Sequence, residues 1–178
     1  SLYSAKIKVV GVGGGGGNMI NHIIRENPNL DIDLMIANTD AKALDNSPAH
    51  TKIQLGEKKT KGLGAGMRPE VGKEAAQESY EEIKSALETS DVVFIASGLG
   101  GGTGTGAAPV VAQAAKEIGA LTVAVVTMPF SFEGKKRSKL ADIGLSELRN
   151  ESDSIVIIPN DRLLTLIDKK SGIKESFK

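Results

Sequence analysis

The 178-residue chain has no cysteine and no tryptophan, and only 3% of its residues are aromatic. Without cysteine there can be no disulfide and no thiolate metal site, which suits a reducing compartment, and the cytoplasm is the simplest placement. So few aromatics argue against a base-stacking platform for single-stranded nucleic acid. Charge of one sign is not in excess either: 22 basic and 22 acidic residues give a formal net charge of zero. General attraction to nucleic acid or to an anionic membrane is therefore excluded, and any anion site must be local. No apolar run approaches the ~20 residues of a membrane span, and residues 1–5 lead into a first strand without a signal-peptide pattern. His22 and His50 have no partners at metal-ligand spacing and read as surface residues. Two short basic clusters, at 58–61 and 135–137, read as solvated faces rather than nucleic-acid patches.

What the chain has in quantity is glycine, 21 residues of it, beside a 40% apolar content sufficient for one core. Short Val- and Ile-rich runs at 7–12, 34–37, 92–96, 121–126 and 155–158 have the pattern of strands buried on both faces. Helical patterns at 18–26, 69–87, 107–118, 135–150 and 161–167 alternate with them. This alternation predicts an α/β fold, Rossmann-like and three-layered, with a mostly parallel sheet and helices on both faces. The segment 45–67 reads as irregular and contains a further glycine loop, Gly62-Leu63-Gly64-Ala65-Gly66. No domain boundary is evident, so residues 1–178 read as one domain.

Two glycine runs sit at strand ends, where ligands bind in open parallel sheets. The first is Gly11-Val12-Gly13-Gly14-Gly15-Gly16-Gly17-Asn18; the second is Gly98-Leu99-Gly100-Gly101-Gly102-Thr103-Gly104-Thr105-Gly106. Glycine backbone lets several N–H groups converge on an anion at a helix start, where the helix dipole already favours negative charge. Thr103 and Thr105 add hydroxyl donors. The first run alone matches a dinucleotide-binding G-x-G-x-x-G through Gly11, Gly13 and Gly16. An NAD-type oxidoreductase is thus one reading, but its acidic partner, Asp40, falls late and the second run is left without a role. Neither run continues into the Gly-Lys-Ser/Thr of a P-loop.

The combination, with Gly100-Gly101-Gly102-Thr103-Gly104-Thr105-Gly106 as its centre, resembles the tubulin superfamily signature. Together with Asn38-Thr39-Asp40-Ala41, Gly62 to Gly66, Pro129-Phe130-Ser131-Phe132-Glu133-Gly134 and Pro159-Asn160-Asp161-Arg162, it is similar to the N-terminal nucleotide-binding domain of the FtsZ family of tubulin-like cell-division GTPases. The similarity runs from Lys6 to Phe177. It implies a GTP/GDP site in which Gly14, Gly15, Gly16, Gly17 and Asn18 hold the α- and β-phosphates, and Gly102, Thr103 and Gly104 the β- and γ-phosphates. Gly98, Gly101, Thr105, Gly106 and Pro129 belong to the same implied site, and Gly64, Ala65 and Gly66 would sense the γ-phosphate. Glu133 and Arg137 would hold the ribose, or form a plain i,i+4 ion pair. Asn160 would bond the guanine or cap a helix, and Phe177 would stack on the base or pack in a core. Asn38 and Asp40 would place water or Mg²⁺ near the phosphates, or simply close a turn.

The resemblance further implies head-to-tail self-assembly into filaments, other division proteins as partners, and a place at the division septum in the cytoplasm. In that family the acidic residues that activate water come from a neighbouring subunit's loop lying beyond residue 178, so no catalytic residue is assigned here. Two glycine loops and Mg²⁺ would neutralise the phosphates while the neighbour orients the water. The chain, cut at the start of the family's central helix, is accordingly expected to bind guanine nucleotide without turning it over, and to expose an apolar strip of its sheet. A module that assembles without nucleotide is the third reading.

Overall fold

The computed structural model describes residues 5–159. Six parallel strands form one sheet in the order β3-β2-β1-β4-β5-β6. The strands are β1 (Ile7–Val12), β2 (Asp33–Asn38), β3 (Thr51–Gln54), β4 (Val92–Gly98), β5 (Leu121–Met128) and β6 (Ser154–Pro159). Their register places Val10 beside Met35 and Ile95, and Ile95 beside Ala124, so one face carries a continuous apolar row. That row packs under α4 (Pro69–Glu78), α5 (Tyr80–Leu87), α6 (Thr103–Glu117) and α7 (Lys135–Glu151). While Gln113 is exposed, Ala107, Ala108, Val111, Ala112, Ala114 and Ala115, all fully buried, give α6 a small-residue packing face. Its slimness lets α4 cross it closely, backbone to backbone.

The opposite face is covered only in part. Ile20 of α1 (Gly13–Glu26) and Leu44 of α2 (Ala41–Asp45) pack with Leu34 and Ile36 of β2. Among the described residues no helix continues this cover over β5 and β6, where Leu121 and Val156 are 51% and 46% exposed. Val156 pairs with Val125, and Val125 with Ala96, so these apolar groups lie on the α1 side of the sheet. The expected exposed strip is therefore present among the described residues.

Element boundaries differ from the sequence reading where glycine and short elements are involved. Helix α1 begins at Gly13 rather than near residue 18, and α6 at Thr103 rather than 107, so much of both glycine runs is helix rather than loop. The 69–87 pattern is two helices, because Ser79 leaves helical geometry and its hydroxyl accepts from the Gly56 N–H (3.0 Å) and donates to the Gln54 carbonyl. The segment 45–67 is not irregular throughout: it contains strand β3 and α3 (Glu57–Thr60), whose first N–H groups are capped by the Glu78 carboxylate. The helix expected at 161–167 lies outside the described residues.

Candidate functional site

The sheet order reverses between β1 and β4, and both glycine runs leave the carboxyl ends of these two neighbouring strands. The fold therefore brings together segments that are far apart in sequence. They touch through backbone: a Cβ on Gly13, which has φ +75°, would stand 2.7 Å from the Gly104 nitrogen, and one on Gly15 would stand 3.1 Å from the Gly98 Cα. Only glycine permits this approach at Gly13, by both its space and its left-handed φ.

In front of the two runs lies a cavity of about 470 Å³. Gly14, Gly15, Gly98, Gly101, Gly102, Thr103 and Gly104 form its floor, at the N-termini of α1 and α6. Neither helix carries an acidic residue in its first turn, so the free N–H groups and the helix dipoles meet no competing carboxylate of their own. Gly64, Ala65 and Met67 close one side, and Pro129, Glu133 and Arg137 the other. A smaller recess of about 260 Å³ adjoins it through Gly14 and Asn38, and is lined by Gly17, Asn18, Asn21 and Arg25.

Not every glycine-run residue reaches the cavity. Gly16 turns toward the Ala96 carbonyl of β4 and Gly106 toward the Pro69 carbonyl of α4, so both serve close packing. The Thr105 hydroxyl accepts from the Gly100 N–H (2.8 Å) and shapes the turn from inside. Gly66, at φ +61°, lies in the side loop without forming the cavity wall. Gly17 and Asn18 face the smaller recess instead of the main cavity.

The alternatives left open at 38 and 40 can be described atom by atom. The Asn38 carboxamide oxygen accepts from the N–H groups of Thr39 (2.8 Å) and Asp40 (3.3 Å), closing the turn. One Asp40 carboxylate oxygen caps α2 by accepting from Lys42 and Ala43, at 3.0 and 3.3 Å. Both residues nevertheless line the cavity. Among the described residues no cluster of three or more acidic or histidine side chains is arranged to hold a metal ion.

Glu133 and Arg137 do form the i,i+4 ion pair, Nη1 to Oε1 at 2.6 Å, and they do so on the cavity wall. The other Glu133 oxygen accepts from the Phe130 N–H (2.5 Å), and Arg137 Nη2 also donates to the Met67 sulfur across the mouth (3.4 Å). Both oxygens of the Glu133 carboxylate are thus engaged in holding the wall, whereas Asp40 uses one oxygen to cap α2. Asn160 and Phe177 lie outside the described residues.

The sequence reading missed Thr39, Thr127 and Met67, which also line the cavity. Thr39 and Thr127 follow or end β2 and β5 at their carboxyl ends, a positional signal that could have found them. Met67, with φ +62°, follows a glycine in a loop where only the fold reveals its direction. Thr39 is fully buried, and its hydroxyl lies 2.6 Å from that of Thr103.

Residues 6–168 match the Tubulin/FtsZ family, GTPase domain. The chain belongs to the Tubulin/FtsZ family. Its fold superimposes on FtsZ of M. jannaschii, solved as an empty dimer, with a TM-score of 0.87 and 51% identity over 94% of this chain and 48% of that one. CetZ1 of Haloferax volcanii, a GDP-bound monomer, gives 0.80 at 27% identity over 88% and 51% of the two chains. CetZ2 of the same organism, a protofilament with GTPγS bound, gives 0.79 at 26% identity over 88% and 49%. The chain spans about half the length of these relatives. An NAD-type oxidoreductase is set aside by this membership. Among the described residues of this family member no helix is long and apolar enough to cross a membrane.

Proposed function

We propose that this chain holds a guanine nucleotide, GTP or GDP, with the phosphates on the cavity floor and the ribose beside Glu133 and Arg137. The observation that carries the reading is the pairing of two helix N-termini, both glycine-built and free of acid, on one cavity of nucleotide size. Backbone N–H groups of Gly14 and Gly15 face the inner phosphates, and Gly102, Thr103 and Gly104 the outer ones. Mg²⁺ comes with the nucleotide, and the Asp40 oxygen not used in capping is the one carboxylate near it. Gly64 and Ala65 close on the terminal phosphate. Kinship with the named relatives extends the reading to Asn160 and Phe177 at the base.

The same chemistry limits what the chain does alone. Glu133 is held by Arg137 and the Phe130 N–H, and the Asp40 oxygen left over from capping would be taken by the Mg²⁺, so neither carboxylate is poised to take a proton from water. Hydrolysis then requires an acidic group from a second copy seated on the cavity mouth, as in head-to-tail filaments. Kinship with FtsZ supports a role in cell division, with other division proteins as partners and a septal location. Titration of the chain with GDP, ADP and NADH tests the core claim. Saturable binding of GDP in clear preference to the other two is expected; equal or preferential binding of ADP or NADH refutes the guanine reading, and binding of none supports the nucleotide-free assembly module. Steady phosphate release from GTP by the chain alone would refute the need for a donated acid.

A further inference from the structure

The hydroxyl contact between Thr39 and Thr103 bridges the residue after β2 and the start of α6, both of which line the cavity. Each hydroxyl has one proton and two lone pairs. If Thr103 donates to Thr39, it presents only lone pairs to the cavity and repels an anion. If Thr39 donates, the Thr103 proton is released to point at the cavity. Thr39 is suited to be the donor because everything else about it is fixed: it is fully buried, its N–H donates to Asn38 and its carbonyl accepts from the Thr60 hydroxyl (3.3 Å).

We propose that Thr39 is a positioning residue that makes Thr103 a dedicated hydrogen-bond donor to a bound phosphate. The inference rests on the nucleotide reading above and deepens it. Thr39 itself needs no contact with the ligand; an anion at Thr103 selects one of the two hydrogen-bond directions, and the buried partner accommodates it without rearrangement. Hydrogen bonds in such a chain polarise one another, so Thr103 donates more strongly when it also accepts. The alternative is that Thr39 merely fills space, in which case its hydroxyl is irrelevant to binding.

The test is a double-mutant cycle on the full chain, read by titration with a fluorescent GDP analogue. Thr39→Val keeps shape and removes the hydroxyl; it is expected to weaken binding roughly fivefold, the scale of one neutral hydrogen bond, while Thr39→Ser stays within about twofold. Thr103→Val is expected to weaken binding about tenfold or more, as a bond to a charged group would. In the Thr103→Val background, Thr39→Val should cost nothing further. Unchanged affinity in Thr39→Val, or the same loss with and without the Thr103 hydroxyl, overturns the proposal while leaving the site intact. Full affinity in Thr103→Val overturns the phosphate assignment itself, which separates the two failures. Should Thr39→Val unfold below the assay temperature, Thr39→Ala carries the same cycle.

Discussion

Gly72 of α4 offers a test in which helix propensity and packing point in opposite directions. Gly72 has an ordinary φ in a regular helix, so Gly72→Ala should stabilise by about 1 kcal/mol if only propensity mattered. The structure forbids this: the added Cβ would stand 2.6 Å from the Gly102 carbonyl oxygen and 2.9 Å from the Thr103 Cα. Ordinary contact begins at 3.4 Å, so α4 would have to retreat by about 0.8 Å from backbone atoms that have no rotamer to adjust. Overpacking of this kind costs about 1–3 kcal/mol, and a backbone clash lies at the upper end. Against the propensity gain, the net is a loss of about 2 kcal/mol, or a fall of about 4–8 °C in Tm for a chain of this size. The control is Gly17→Ala in α1, where nothing lies within 4 Å of the new Cβ and a rise of about 1–3 °C is expected. Differential scanning fluorimetry reads both. Because the struck carbonyl belongs to the cavity floor, Gly72→Ala should also weaken GDP binding. A Tm for Gly72→Ala that rises like that of Gly17→Ala would refute the close approach of α4 to the second glycine run.

Further tests address the cavity walls and a distant surface cluster. Glu133→Gln removes the charge that fixes Arg137 and should reduce nucleotide affinity about tenfold, measured by calorimetry, with little change in Tm, since the pair is part-exposed. Asp40→Ala removes the α2 cap at a cost of about 1 kcal/mol; Asp40→Asn keeps the cap but loses the charge, so its Tm should hold while Mg²⁺ enhancement of GTP binding falls. Burial and the hydrogen bond to the Glu117 carboxylate push the Tyr80 phenol up to about 12. The neutral phenol is therefore the form the fold favours: its contribution to stability is fully present below pH 10 and is lost as pH rises toward 12. In Glu117→Gln the tyrosinate absorbance should emerge at lower pH but still above 10, because burial persists.

Long β-branched runs made the parallel sheet legible in the sequence, since a strand buried on both faces has no other economical composition. β3 was not, because Thr51, Lys52 and Gln54 make it a short edge strand with a single buried apolar residue, Ile53. The glycine runs were legible as an anion site but not as helix. Propensity disfavours five consecutive glycines at the start of α1, yet Gly13 and Gly16 are where neighbouring backbone leaves no room for a side chain, so tertiary contact overrides the local preference. Glu133 and Arg137 were legible as a pair from their spacing; that the pair stands on the cavity wall depends on α7 following β5, which spacing alone does not convey. Thr39 was hidden between two more conspicuous polar residues, and its partner lies in another element altogether.

The junction of β1 with β4 has a consequence for how the chain matures. Each glycine run alone is a helix start with nothing facing it, and the cleft comes into existence only when these two strands lie side by side. A partly folded chain that has formed its local hairpins of strand and helix, but not this long-range pairing, has no affinity to offer. On the proposed nucleotide reading, ligand capture would be a checkpoint on topology: it would stabilise only molecules that have completed the central pairing, and added nucleotide should protect the chain from protease in one concerted step rather than segment by segment.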